Sequence, residues 1–391
     1  MINKFHPLQL SFLLFSMLLN CMGIIILKYS GSSISYQHLG ILEFFKDIPI
    51  AVTSFFCVGF INKIGTKISL QCSLLIVFFC STIIPFINDF WFFKIWFVLI
   101  GIAFSIGKIA VFGLIRNNVE NEAGLSKVMN RVEASFVIGV FGINMLFGWL
   151  LASEYEVYWK FGFWSIALIA AYTIIELRRY TYKEVKVESK SVLFDFKSLF
   201  KTNNPIFFTI IFFLVLAEQC FNSWLPTFYR NNLGVNSFYA LQSTAFLAFF
   251  SFIGRFVTSK IIQHFSWFRY IMFCLLGLTI LIVTAQILIT TATENTWLIL
   301  MAIFPFFGLF LSPTYPLYNS KFLINTCKEK VNILTSLIVI FSSLGSSFGS
   351  LGMSYVFEYK WDHYFLLFVL APVSIVVLIT IIFRQRLILR Q

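Results

Sequence analysis

Charge is scarce in this sequence: 12% of its 391 residues are Asp, Glu, Lys or Arg, whereas 59% are hydrophobic. A soluble protein of this length needs more charge to cover its surface, so the composition argues against a soluble globular fold. It favours a surface that faces lipid. Twelve apolar segments fill most of the chain, at 8–28, 38–61, 68–87, 95–115, 128–152, 161–177, 205–229, 238–259, 270–290, 296–320, 331–357 and 363–383.

These segments also lack the alternation of polar and apolar residues that is typical of transmembrane β-strands. Each is close to the ~20 residues that a helix needs to cross ~30 Å of hydrocarbon. The sequence therefore predicts an all-α membrane protein with twelve transmembrane helices. The first segment is too long for the apolar core of a cleaved signal, and eleven more follow it, so we expect it to be retained as a span.

Basic residues are unevenly distributed over the predicted loops. With the N-terminus in the cytoplasm, cytoplasmic segments hold 22 of the 29 Lys and Arg residues, and outer segments hold five. This bias predicts cytoplasmic N- and C-termini and a multi-pass protein of the cytoplasmic (inner) membrane. The net charge of +12 is explained by these basic cytoplasmic loops and by attraction to anionic lipid headgroups. We do not interpret it as a sign of nucleic-acid binding.

Sequence signals for redox, metal or catalytic chemistry are missing. None of the seven cysteines has metal-ligand spacing or lies in an outer loop, so we predict no disulfide and no metal site. The sequence shows no nucleotide-binding loop and no nucleophile beside a base. We therefore predict a protein that is not an enzyme, has no cofactor, and draws energy from a proton gradient or another solute gradient.

One long polar stretch, 178–204, divides the twelve segments into six and six. The domain prediction is an N-terminal six-helix bundle at 1–177, a basic cytoplasmic linker at 178–204 and a C-terminal six-helix bundle at 205–391. Two six-helix halves joined in this way match a parallel-repeat transporter plan. We expect the chain to act as a monomer in the lipid bilayer.

Ionised side chains inside spans are the strongest functional signal, because a charge at the bilayer centre costs ~2.5–3.5 kcal/mol. In span 2, Glu43, Lys46 and Asp47 share a 100° arc of one helix face, with Pro49 just beyond as an expected kink. Two interpretations stay open. The carboxylates carry protons, or they form structural ion pairs: Glu43 with Lys46, or Asp47 with Lys108 of span 4.

Other candidates lie in spans 1, 4 and 5. Lys108 is predicted to bind solute or to hold a carboxylate. Glu133 is a candidate proton carrier and Arg131 a gating residue. Because both lie near the cytoplasmic end, a structural or gating role is favoured over proton carrying. Asn20, an amide within span 1, is a candidate solute contact.

Span 7 combines a carboxyl, two amides and an indole in Glu218, Gln219, Asn222 and Trp224. Planar polar groups bind hydroxyls and an aromatic ring covers an apolar face, so this set suits a sugar, with Glu218 as a proton carrier. Pro226 is expected to break the helix just beyond. The alternative is an interhelical hydrogen-bond cluster.

Span 10 contains Pro313 and Pro316, which predict an irregular segment with Tyr315 and Asn319 on one face. We interpret this segment as a solute contact or a hinge.

The loop after span 2 resembles the signature Gly-x-Leu-Ala-Asp-Arg-x-Gly-Arg-Lys of the major facilitator superfamily. Gly65 and Lys67 align with it, and Asn62 stands where the family has Asp. The resemblance implies a gating role for this loop, including Lys63, and for its counterpart Arg255 in the second half. Lys46 is placed in the same gating or structural group.

A closer resemblance is to bacterial fucose/glucose-type sugar–proton symporters. It is carried by Leu42 to Pro49, Glu218-Gln219 with Trp224-Leu225-Pro226, Gly254-Arg255-Phe256 and Pro313 to Pro316. Those symporters use carboxylates in spans 1 and 4. Here span 1 has none and span 4 has Lys108, so Asp47, Glu43 or Glu218 must supply any coupling.

The sequence thus predicts a facilitator that moves a small polar solute by alternating access, with sugar–proton symport as the leading interpretation. The alternative in the same fold is an exporter of a drug, a siderophore or another metabolite. A non-transporting membrane sensor is disfavoured, because no extramembrane output domain is evident.

Overall fold

A computed structural model describes residues 2–30, 32, 34–119, 122–183, 204–291, 296–324 and 331–385. Most of the predicted linker 178–204 and Cys327 lie outside these residues. The described part of the chain is helical and contains no strand. Its α-helices are α1 (His6–Leu19), α2 (Met22–Tyr29), α3 (Tyr36–Ile64), α4 (Thr66–Ile83), α5 (Phe92–Asn118), α6 (Glu122–Ala152), α7 (Phe163–Arg179), α8 (Asn204–Leu233), α9 (Ser237–Ile261), α10 (Trp267–Thr290), α11 (Thr296–Leu311), α12 (Thr314–Ile324), α13 (Val331–Glu358) and α14 (Phe365–Ile382).

The lengths of these helices agree with the predicted membrane spans. Among the described residues, 11 helical segments are long and apolar enough to cross a bilayer. The charged helix α3 has 29 residues, which at 1.5 Å per residue is roughly 44 Å and also long enough to cross. The predicted all-α membrane fold is confirmed, whereas the cytoplasmic placement of the termini stays a prediction.

Span 1 is interrupted, which the sequence did not predict. Helix α1 ends at Leu19 and α2 begins at Met22. At the break, the backbone N–H and the side-chain amide of Asn20 both donate to the carbonyl of Ser16, at 3.1 and 2.9 Å. The Ser16 carbonyl thus accepts the last helical bond of α1 and a second bond from the Asn20 side chain, which turns this amide back onto the end of α1.

The prolines of spans 7 and 10 were both expected to interrupt a helix, and only those of span 10 do so. The break between α11 and α12 falls at Ser312 and Pro313, so the predicted irregular segment is confirmed. The predicted break at Pro226 is wrong, because α8 continues through this residue to Leu233. A membrane helix tolerates an internal proline when neighbouring groups satisfy the freed backbone.

The chain forms two compact units. Unit 1 comprises Met1–Met22 and Phe44–Ser191, and unit 2 comprises Gly23–Glu43 and Val192–Gln391. Unit 2 thus contains a piece of the first half of the chain, residues 23–43, which we call the inserted segment. The predicted domain boundaries at 177 and 205 stay a prediction.

In unit 1, aromatic side chains join neighbouring helices. Trp96 of α5 is fully buried, and its ring packs edge-on against Phe163 of α7 at a centroid distance of 5.4 Å. Its indole N–H donates to the carbonyl of Cys80 in α4 at 3.1 Å. Because lipid removes most of the hydrophobic drive between helices, such close packing and hydrogen bonds hold the unit together.

In unit 2, small residues allow α13 to lie close to α8. A Cβ atom added to Gly349 would come within 2.6 Å of the carbonyl oxygen of Leu216, and one added to Gly345 would clash with the carbonyl of Phe212. These two glycines of predicted span 11 therefore serve helix packing.

Candidate functional site

The carboxylate of Glu43 is the centre of a buried polar cluster in unit 2. Glu43 lies in α3 and is fully buried. The side-chain amide of Gln219 in α8 donates to its Oε1 atom at 2.9 Å. The hydroxyls of Ser223 in α8 and Ser346 in α13 lie at 3.5 Å from Oε2 and Oε1 respectively. Gln219 also donates to Ser223 at 2.6 Å, so one connected network joins the three helices.

The backbone of the inserted segment lies close to α8 and α13. A Cβ atom on Gly23 would come within 2.9 Å of the carbonyl oxygen of Asn222 in α8. One on Gly40 would come within 2.5 Å of the Cβ atom of Ser354 in α13. Both positions therefore require glycine or a shift of the neighbouring helix, and the close approach brings Glu43 within reach of its partners.

Hydrogen bonds hold the inserted segment at two more positions, Leu27 and Tyr36. Arg230 Nη1 donates to the carbonyl of Leu27 at 2.9 Å. The N–H of Tyr36, the first residue of α3, donates to Glu358 Oε2 at 2.6 Å. A carboxylate at this position stabilises a helix start because it satisfies a free N–H and interacts with the helix dipole. Asn231 donates to the hydroxyl of Tyr36 at 2.7 Å.

A second charged group in unit 2 is an ion pair between α8 and α9. Glu218 Oε1 lies 3.9 Å from Arg255 Nη2, and both side chains are about one-third exposed, at 32% and 37%. Arg255 Nε also donates to Ser312 Oγ at 2.7 Å, at the break between α11 and α12. The predicted proton carrier of span 7 and the predicted gating residue of span 8 thus form one ion pair.

The two candidates in α12 lie within one turn of each other. The hydroxyl of Tyr315 is 3.1 Å from that of Ser342 in α13. The Oδ1 atom of Asn319 is buried and accepts no hydrogen bond from the described residues. A buried amide oxygen without a donor is a suitable contact for a solute hydroxyl.

The other two candidates in α8 face helix packing in this structure. Trp224 is fully buried, its indole N–H donates to Ser350 Oγ at 3.0 Å, and its ring stacks on Phe357 at 5.1 Å. Asn222 is half-buried, and its carbonyl lies beside Gly23. A solute contact for either residue stays a prediction.

In unit 1, the charges of α3 pair with each other. Lys46 Nζ lies 3.8 Å from Asp47 Oδ1, and the two side chains are 6% and 5% exposed. Lys46 also donates to the carbonyl of Leu19 at 3.5 Å, at the end of α1. The structure therefore supplies a structural ion pair between Lys46 and Asp47.

Lys108 is half-buried in α5, and its ammonium lies 5.5 Å from the ring centroid of Phe104 in the same helix. In α6, Arg131 is half-buried, whereas the side chain of Glu133 lies outside the described residues. The roles predicted for these three residues remain predictions.

The loop with the signature-like residues contacts the chain after α7. Gly65 has a φ of 101°, which lets the backbone turn from α3 into α4. Lys67 donates to the carbonyl of Tyr180 at 2.8 Å, while Lys63 is exposed and the side chain of Asn62 lies outside the described residues. Nearby, burial raises the pKa of the Tyr182 hydroxyl above its usual value.

Sequence reasoning missed three residues of these networks. Ser223 and Ser346 bond Glu43, and Ser312 bonds Arg255. A signal for Ser346 was available in the regular spacing of serines along one face of span 11. The described residues include no group of three His, Cys, Asp or Glu side chains that could hold a metal ion.

Together, the apolar helices and their buried charges define a multi-pass helical membrane protein of the transporter class. A family model described as Major Facilitator Superfamily matches residues 9–350, and the chain belongs to this superfamily. Among solved structures, a D-xylose-proton symporter superposes with a TM-score of 0.78 over 96% of each chain, at 12% identity. At this identity the likeness shows the fold alone. No curated protein matches the sequence.

Proposed function

We propose that this protein is a proton-coupled symporter that carries a sugar across the cytoplasmic membrane by alternating access. It acts as a monomer, needs no cofactor and is driven by the proton gradient. The observation that carries the proposal is the environment of Glu43. A fully buried carboxylate accepts hydrogen bonds from an amide and hydroxyls on two other helices.

This arrangement meets two requirements of coupling. First, a carboxylate can bind a proton, and a buried one is sensitive to whether its donors stay in place. Second, Gln219 and the serines are groups that also bind sugar hydroxyls, because amides and hydroxyls both donate and accept. A solute that takes over Gln219 removes a donor from Glu43 and so alters its affinity for a proton. Reciprocity of linked equilibria then makes the proton alter the affinity for solute.

The Glu218–Arg255 pair supports the same proposal as a second titratable site. Glu218 is adjacent to Gln219 in α8, and Arg255 is linked through Ser312 to the α11–α12 break. Further along α12, Asn319 has a buried side-chain oxygen that accepts no hydrogen bond from the described residues. Irregular helices at membrane depth commonly line transport sites. The superposition on a D-xylose-proton symporter agrees with sugar as the solute class.

The test is proton movement in proteoliposomes after addition of sugars, amino acids and organic acids. We expect a sugar to cause alkalinisation outside, because each sugar enters with a proton. Silence across the whole panel with folded protein contradicts symport and favours the exporter alternative, which efflux assays then address.

The variant Glu43→Gln retains the size and hydrogen bonding of the side chain but cannot ionise. We expect it to lose uphill accumulation while sugar exchange at equal concentrations continues. Glu218→Gln should weaken accumulation less, because its partner Arg255 is partly exposed and keeps the Ser312 contact. The matched control is Glu176→Gln, a carboxylate that pairs with Arg179 at the end of α7. Unchanged accumulation in both Glu43→Gln and Glu218→Gln removes these residues as coupling sites.

A further inference from the structure

An open cavity of about 540 Å3 lies within unit 2, beside the middle of the inserted segment, where α3 begins. It is lined by Tyr36, by Asn231 at the end of α8, and by Phe357, Glu358, Lys360 and Asp362 at the end of α13 and beyond. Its volume falls in the range of roughly 300–1,000 Å3 that small-molecule sites occupy. The predicted topology places it on the outer side of the membrane.

Hydrogen bonds among the lining residues fix which polar atoms remain for a ligand. The Tyr36 hydroxyl accepts from Asn231 Nδ2 at 2.7 Å, so its own hydrogen is free to be donated. Glu358 accepts the Tyr36 N–H through Oε2, and no described residue donates to its Oε1. Asp362 adds a second half-buried carboxylate. The cavity thus offers donors and acceptors side by side.

An apolar surface lies next to these polar groups. The rings of Tyr36 and Phe357 are 5.8 Å apart, and Phe357 is backed by Trp224, which stacks on it with an interplanar angle of 18°. This packing holds the aromatic surface in place without a ligand. A ring face next to paired donors and acceptors matches the C–H face and hydroxyls of a sugar.

The backbone at the edge of the cavity is held in an unfavourable conformation. Lys360 has a φ of 58° and is the one residue other than glycine with a positive φ among those described. A lysine is rarely found in this conformation, and such residues cluster at ligand-binding sites. The turn places its ammonium, a further donor, at the cavity.

We propose that this cavity is a second binding site for a polyhydroxylated solute, where the solute binds before it reaches the buried site around Glu43. The choice of a sugar as ligand rests in part on the proposed function. The site itself rests on its own geometry, since its lining residues are distinct from the Glu43 cluster.

The experiment is protection of an engineered thiol. Ile34 lines the cavity and is half-buried, so Ile34→Cys places a thiol there without removing a polar contact. The purified full chain is treated with a polar maleimide, and labelling at position 34 is followed by peptide mass spectrometry. The probes are D-xylose, D-glucose and L-fucose, with L-alanine and choline as solutes of other chemistry. Glu154→Cys, at an exposed position of unit 1, is the control thiol.

We expect a sugar to slow labelling at position 34 and not at position 154. In the Ile34→Cys background, Asp362→Asn should raise the half-protecting sugar concentration about tenfold, because a hydrogen bond to a charged acceptor is lost. Gln219→Ala should leave it unchanged. Equal loss of protection in the Gln219 variant would assign the effect to the buried site and overturn the proposal. Protection by choline alone would overturn the ligand class.

The outcomes separate this site from symport. Sugar protection without sugar-driven proton movement supports the cavity and contradicts the proposed function. Proton movement without protection supports symport and overturns the cavity. Absence of both contradicts both.

Discussion

Buried charges are neutralised differently in the two units. In unit 1, Lys46 and Asp47 are consecutive residues of one helix and pair with each other. In unit 2, Glu43 is bonded from α8 and α13, and Glu218 pairs with Arg255 of α9. A pair within one helix stays together when helices move, whereas a carboxylate bonded from other helices loses its partners. The difference makes the unit 2 carboxylates, whose partners lie on other helices, the stronger candidates for proton coupling.

The largest expected effect breaks the local pair. Asp47→Asn leaves Lys46 buried without its carboxylate, and breaking such a pair costs about 3–5 kcal/mol. We therefore expect little folded protein, measured as the monodisperse fraction in detergent. The double variant Lys46→Met/Asp47→Asn should restore folding and accumulation. A double variant that folds but does not accumulate solute would show that Asp47 carries protons. That result would contradict the proposed contrast between a structural ion pair in unit 1 and coupling carboxylates in unit 2.

An intermediate effect concerns how closely helices approach in each unit. Gly345→Ala forces a Cβ atom against the carbonyl of Phe212 in α8, and overpacking of this kind costs roughly 1–3 kcal/mol. Gly142 of α6 is the matched control, because an added Cβ atom there meets nothing within 4 Å. We expect a lower apparent melting temperature for Gly345→Ala and an unchanged melting temperature for Gly142→Ala. Equal effects would mean that α8 and α13 separate easily.

The smallest effect sharpens the role of the donors around Glu43. Ser346→Ala removes one hydroxyl at 3.5 Å, and so long a contact contributes about 0.5 kcal/mol, or roughly twofold. We therefore expect the rate of sugar accumulation in proteoliposomes to fall about twofold. Ser354→Ala, in the same helix with its hydroxyl donating to the carbonyl of Leu351, should leave the rate unchanged. An equal fall in both variants would argue against a specific contact between Ser346 and Glu43.

The helices were predictable because their signal is local. Length and hydropathy located the spans, and Pro313 marked the break before α12. The break in span 1 was not predictable, because an amide such as Asn20 within an apolar run fits a solute contact as well as a helix end. Pro226 misled because tolerance of an internal proline depends on neighbouring helices that sequence spacing does not reveal.

The partners of the candidate residues were harder to predict than the residues themselves. Periodicity placed Glu43, Lys46 and Asp47 on one helix face, but it gave no information on which helices face them. The bond from Gln219 to Glu43 joins residues 176 positions apart. Both were candidates for different roles, proton coupling and solute binding, and only the packing of α3 on α8 brings them together.

The bond between Tyr36 and Glu358 has a consequence for biosynthesis. The residues are 322 positions apart, so the start of α3 lacks this partner until nearly the whole chain has left the ribosome. During insertion, residues 23–43 must stay in the membrane region without the helices that later bind them, and Glu43 must wait for Gln219 and then Ser346. The first two spans therefore complete their folding among the last, which makes the end of synthesis the step at which a truncated or slowly translated chain is most exposed to degradation.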